Sequence, residues 1–177
     1  MGSAPSLRSM PSGGDRRSIG RSDEAVKLVG AEPKRVAELA ELLWDSDEVV
    51  RMRAADASEK LSRDRAEWLK PFQANLLGLM AETRQQELRW HLAAIVPRLK
   101  LTQAERRRVT GIFEGYLEDR SSIVKTFAMQ GLWDLSLLDA GLRGRVVELV
   151  RELTRTGTAA MRARGRNLLK NLGSEDG

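Results

Sequence analysis

The sequence of 177 residues has no cysteine, which excludes a disulfide framework and any thiolate metal site. It has one histidine, His91, so a hydrolytic triad would have a single available base, and no glycine-rich nucleophile turn accompanies it. Glu87 stands one helical turn before His91, but two ligands do not close a metal site, which needs three or four converging groups. Aromatic residues make up 5% of the chain, few enough that the position of each tryptophan carries information. No hydrophobic run approaches the length of a membrane span and the first residues lack the apolar core of a secretion signal, so a cytoplasmic protein is expected. Alternating apolar stretches are missing, which argues against strands. Phosphate-loop and dinucleotide fingerprints are missing with them, since those motifs sit on strand-to-helix turns. Nothing that remains implies a metal, a cofactor or a small-molecule substrate.

What the chain does have is repetition. An aliphatic residue followed by a basic one recurs as Val50-Arg51, Leu88-Arg89, Val124-Lys125 and Met161-Arg162, at spacings of 38, 36 and 37 residues. Aligned on the aliphatic residue, the copies carry Asp45, Thr83, Asp119 and Thr156 five positions earlier, all short oxygen-bearing side chains suited to cap a helix. Four, seven and eleven positions later stand Ala54, Ala57 and Leu61, with Leu92, Ile95 and Leu99, then Ala128, Gly131 and Leu135, and finally Gly165, Leu168 and Leu172. This is the spacing of one buried helix face, with small residues where neighbouring helices must approach closely. Second helices are expected at about 64–80, 103–117 and 142–153. The expected fold is therefore all-α, a series of antiparallel helix pairs. A hairpin at 22–44, with Pro33 opening its second helix, caps the N-terminal end. Repeats follow at 45–81, 82–118 and 119–155, and a terminal helix at 156–172 closes the series. Residues 1–21, rich in Ser, Gly, Pro and Arg, are expected to form a disordered tail, and 173–177 a flexible one.

The run from Asp45 to Arg51, followed by Ala54, Ala57 and Leu61, resembles the first helix of a HEAT repeat. Asp119 to Leu135 repeats it, and the likeness extends over about 22–172. Pro97 lies where HEAT repeats often tolerate a proline that bends the first helix. The resemblance implies a right-handed α-α superhelix of the armadillo-like α-solenoid class, used as a scaffold for protein–protein interaction. It also implies a ladder between repeats, for which the matching acids are Asp45 and Asp119 and the matching bases Arg51, Arg89, Lys125 and Arg162. HEAT-like hydroxylases that hold iron on His-Glu dipeptides are not matched, since no such dipeptide occurs. HEAT-like DNA-alkylation glycosylases find a single local echo in Trp133-Asp134, to which no catalytic role is carried over.

The formal charge of +5 invites a nucleic-acid reading, but residues 22–160 carry 22 basic and 22 acidic side chains, so the excess sits at the two ends. One local pattern favours an anionic partner. Lys70, Arg106 and Arg143 occupy equivalent second-helix positions and would form a basic ridge, an anion- or nucleic-acid-binding candidate set near helix starts where cations oppose the dipole. Trp44 and Trp133 stand in registers held elsewhere by charged residues and proline. Both are expected to face outward and to anchor a bound protein or peptide. Trp68 and Trp90 fall in mixed registers and are expected to be core or half-buried, and His91 to be partly buried or exposed. The preference for arginine over lysine points to a GC-rich, bacterial genome. Binding without catalysis is the function expected, with nucleic-acid binding as the alternative.

Overall fold

The computed structural model describes residues 7–9, 20–170 and 172. The two expected tails fall largely outside these residues. Among them the chain is all-α, with nine α-helices and no strand. They are α1 (Gly20–Ala31), α2 (Val36–Glu41), α3 (Glu48–Arg65), α4 (Gln73–Glu82), α5 (Gln86–Ile95), α6 (Gln103–Tyr116), α7 (Ser122–Ser136), α8 (Ala140–Thr156) and α9 (Ala159–Lys170). None is long and apolar enough to cross a membrane. The chain divides into two compact units, Met1–Lys100 and Leu101–Gly177.

In the first unit α3 is central, packed between α1 and α5 and also touching α2. In the second, α7 packs against α6, α8 and α9, and α8 packs against α9. The four aligned copies supply the first helix of each pair: α3, α5, α7 and α9. Their repeated apolar positions all lie inside, from Val50, Ala54, Ala57 and Leu61 to Met161, Gly165 and Leu168, except that Leu172 is half-buried. The periodic stripe is therefore the core-facing stripe.

Two prolines reshape helices that periodicity alone would extend. The helix expected over 64–80 is interrupted by 3-10 turns at Ala66–Phe72, with Pro71 inside them, and α4 begins only at Gln73. Proline has no N–H for the i→i−4 ladder and its ring crowds the carbonyl four residues back. Pro97 acts similarly: α5 ends at Ile95 and passes into a 3-10 turn at Val96–Arg98, so this proline terminates the first helix of the second copy instead of bending it.

Small residues sit at the tightest contacts of the second unit. A Cβ on Gly131 of α7 would meet the ring of Phe113 on α6, at 2.6 and 2.8 Å from its Cε atoms. A Cβ on Gly165 of α9 would collide with the Thr154 side chain of α8.

Candidate interaction surface

Three helix starts share one geometry, displaced by two residues from the caps expected in the sequence, whereas the fourth expected cap, Thr156, ends α8 and donates to the Glu152 carbonyl. The N-cap of α3 is Asp47, whose side chain accepts from the Val49 amide at 2.8 Å, while Asp45 accepts from the Asp47 amide at 2.9 Å. Likewise Asp119 accepts from the amide of Ser121, the N-cap of α7. Thr83 accepts from the amide of Gln85, which precedes α5. The repeated oxygen side chain thus builds the turn leading into the helix, as Asx and ST turns do, and leaves the cap to the residue after next. The repeated base folds back onto that turn. Arg51 donates to the carbonyls of Asp45 and Ser46, Arg89 to Thr83 and Arg162 to Gly157. These cations therefore serve the helix starts, and the acid–base ladder implied by the HEAT resemblance takes another form: Asp45 pairs with Arg8, and Arg51 reaches Gln85 at 2.8 Å.

A different ladder joins successive copies. Counting from the aliphatic residue, position +3 of one copy meets position +6 of the copy before it: His91 with Asp56 in the first unit, Arg164 with Gln130 in the second. Position −3 also meets position −2 of the preceding copy: Gln85 donates to the Glu48 carbonyl, and Thr158 accepts from the Ser122 hydroxyl. The same register in both units identifies these as contacts of a helical repeat. His91, expected to be partly buried or exposed, is only 2% exposed and so buried. Its Nδ1 lies 2.7 Å from the Glu87 carbonyl oxygen, which can only accept, so Nδ1 carries the proton and Nε2 faces Asp56 Oδ1 at 3.5 Å. Burial pushes the Asp56 carboxyl upward, but the neighbouring His91, Ser22 and Lys60 outweigh it and hold the group well below the usual carboxylate range. Glu59 is balanced in the same way, with burial opposed by Arg63 and Arg98 and a net lowering.

Of the residues singled out from sequence, Trp133 and Arg143 meet within the second unit. Trp133 is 3% exposed, covered by the guanidinium of Arg143 at 4.2 Å from the ring centroid, so it is a core residue and not an outward anchor. Arg143 also donates to the buried Ser136 hydroxyl, and Arg106 donates to the Leu101 carbonyl at 2.7 Å. Both are half-buried and face protein groups, whereas Lys70 is exposed; the expected ridge keeps one free-facing cation of its three. Lys70 lines a groove of about 490 Å³ with Gln73, Arg98 and Lys100. The other tryptophans stand as expected: Trp44 is 47% exposed, and Trp68 and Trp90 are half-buried.

No family model matches the chain, and no curated protein matches it either. The chain is similar to solved structures, among them the crystal structure of an engineered protein from the Northeast Structural Genomics Consortium, 19% identical, with a TM-score of 0.62, covering 95% of this chain and 78% of that one. At that identity the likeness shows the fold alone.

Trp44 stands at an open groove of about 500 Å³ in the first unit. Leu43, Leu79 and Leu88 give it an apolar lining, and Glu48, Glu82 and Arg84 a charged one. The groove lies where the start of α3 meets the turn from α4 to α5, so the copy-to-copy contacts of Arg51 and Gln85 fix its walls. A second surface, which sequence reasoning missed, lies beside Asp45. Leu7 is fully buried and its amide donates to Glu38 Oε1 at 2.7 Å, while Arg8 reaches both oxygens of Asp45 at 2.7 and 3.3 Å. The guanidinium and the Asp47 amide hold the Asp45 carboxyl below its ordinary range. Burying the leucine contributes about 1.5–3 kcal/mol, and the exposed ion pair adds orientation more than energy. The signal was a bulky aliphatic residue next to a base in an otherwise small and polar stretch.

Proposed function

We propose that the protein is a non-catalytic scaffold of HEAT-repeat type, a right-handed α-α superhelix, that binds a segment of another protein in the Trp44 groove. The observation that carries this reading is Trp44 itself, the one exposed tryptophan, set at a groove lined by both apolar and charged side chains. A large ring with two rotatable bonds buries much surface at little entropic cost, and tryptophans so placed dominate binding energy in protein interfaces. The repeat contacts that frame the groove supply rigidity, which lowers the cost of ordering on binding.

The test is a selection of displayed peptides against the full chain, followed by affinity measurement on Trp44→Ala and on Arg107→Ala, an exposed change elsewhere. The expected result is a set of peptides whose binding falls at least tenfold in Trp44→Ala and is unchanged in Arg107→Ala. Peptides that bind both variants equally, or no enrichment at all, would overturn the reading.

The alternative, a nucleic-acid-binding HEAT-like protein, retains the exposed Lys70 and its groove with Arg98 and Lys100. Arg98 is already bound to Glu59, at 2.8 Å, and to Ser62. With Arg106 and Arg143 turned to protein partners, fewer cations remain to contact phosphates than the sequence promised.

A further inference from the structure

We propose that the face carrying Glu38 and Asp45 is a receptor for a short segment in which an apolar residue precedes an arginine, and that Leu7-Arg8 of this chain occupies it as a tethered, exchangeable ligand. Three contacts of different kinds define the recognition. The Leu7 side chain is wholly buried, the Leu7 amide donates to Glu38 Oε1, and the Arg8 guanidinium engages both oxygens of Asp45. Apolar burial, a main-chain hydrogen bond and a two-point carboxylate clamp are the means by which proteins read a peptide: the main chain sets its path and the side chains its identity.

The receptor is assembled independently of what fills it. Glu38 is held by Arg35, whose Nε and Nη2 reach Oε2 at 2.9 and 2.8 Å, leaving Oε1 for the incoming amide. Asp45 is held by the amide of Asp47 in the turn leading into α3. Each carboxylate therefore has a partner within the fold besides the segment. The occupant, by contrast, is small: a single turn, Leu7–Ser9, contributing one buried side chain. Residues 10–19 connect it to α1, so it binds with the help of an effective concentration set by a ten-residue tether. A contact that depends on its tether yields to the same motif offered by a partner with further contacts to make. Glu38 and Asp45 do not line the Trp44 groove, so this inference stands or falls apart from the proposed function.

The experiment uses the full chain, labelled with nitrogen-15, and a capped synthetic peptide of residues 5–10. In the variant carrying Leu7→Ser and Arg8→Glu, the amides of Glu38 and Asp47 are expected to shift saturably as the peptide is added. The unaltered chain should need at least ten times more peptide for the same shift, and a peptide with Glu in place of Arg8 should give none. Equal titration of variant and unaltered chain, or equal response to the two peptides, overturns the proposal. Hydrogen exchange on the unaltered chain tests it without any substitution. An exchangeable segment gives a Leu7 amide at least a hundredfold less protected than the Leu92 amide in α5, and equal protection would show a permanent part of the fold.

Discussion

At the scale of single residues, the chain decides between similar side chains by what lies within a few ångströms of them. Gly131 and Gly144 are both helical, yet a methyl group at Gly131 would press into the buried Phe113 ring, whereas one at Gly144 meets nothing within 4 Å. Alanine gains about 1 kcal/mol of helix propensity over glycine, and overpacking a core costs about 1–3 kcal/mol. Gly131→Ala should therefore destabilise and Gly144→Ala should stabilise by about 0.5–1 kcal/mol, as measured by urea midpoints. Glu59 offers a test through pH. Its folded carboxyl is held below the ordinary value because Arg63 and Arg98 outweigh its burial. A lowered folded value means that the unfolded chain takes up protons first as the pH drops. The contribution is thus present above the unfolded value of about 4.3 and is lost as pH falls through the folded one. Glu59→Gln should cost about 1–3 kcal/mol at pH 7, since charged hydrogen-bond donors lose their acceptor. The gap from the unaltered chain should narrow below pH 4, and a gap constant from pH 7 to pH 2.5 would contradict this account of Glu59.

At the scale of the helix and its ends, most of what the sequence offered was legible, and the departures have definite causes. The buried stripe of α3, α5, α7 and α9 follows from the spacing alone, because an aliphatic residue every three or four positions has one face to hide. The caps were misplaced by two residues, since a short oxygen side chain can either cap a helix or turn the chain into it, and composition does not distinguish the two. The structure assigns Ser121, not Asp119, to the α7 cap. Ser121→Ala should accordingly cost about 1 kcal/mol in thermal or urea unfolding. Thr102→Ala should cost a similar amount, because it dismantles the capping box with Glu105 at the start of α6. The Glu105 carboxylate accepts from the Thr102 amide at 2.7 Å. The registers of the two tryptophans show where comparison between copies succeeds. The counterparts of Trp44 are Glu82, Glu118 and Arg155, all exposed, and Trp44 is exposed with them. The counterparts of Trp133 include Glu59 and Pro97, which are buried despite their type, Glu59 beneath two arginines much as Trp133 lies beneath Arg143. Polarity stood in for exposure there and failed, because a carboxylate can be buried when the arginines that pair with it cover it.

At the scale of the whole molecule, the net charge of +5 says less than how the cations are employed. Arg51, Arg89, Arg106 and Arg162 bind main-chain carbonyls at helix starts, Arg164 joins two copies through Gln130, and Arg143 covers Trp133. Others pair with acids one turn away on the same helix, as Arg151 does with Glu148 and Arg155 with Glu152. The ladder between copies escaped the sequence for the same reason. Its members, His91 with Asp56 and Arg164 with Gln130, share positions but not chemistry, so only the three-dimensional register reveals them as equivalent. A cation already bound to protein releases no counterion on meeting a phosphate without first giving up that partner. The slope of affinity against salt counts the phosphates actually neutralised, not the formal charge. Binding to duplex DNA should therefore be weak. In a titration from 50 to 200 mM salt, followed by fluorescence anisotropy, affinity should fall by much less than the 10³–10⁵-fold typical of six to ten phosphate contacts. Arg143→Ala should lower the unfolding midpoint, since it uncovers Trp133 and strips a donor from Ser136, while leaving the salt slope unchanged. A steep salt dependence reduced by Arg106→Ala and Arg143→Ala would return these residues to a nucleic-acid surface and remove them from the core contacts assigned to them.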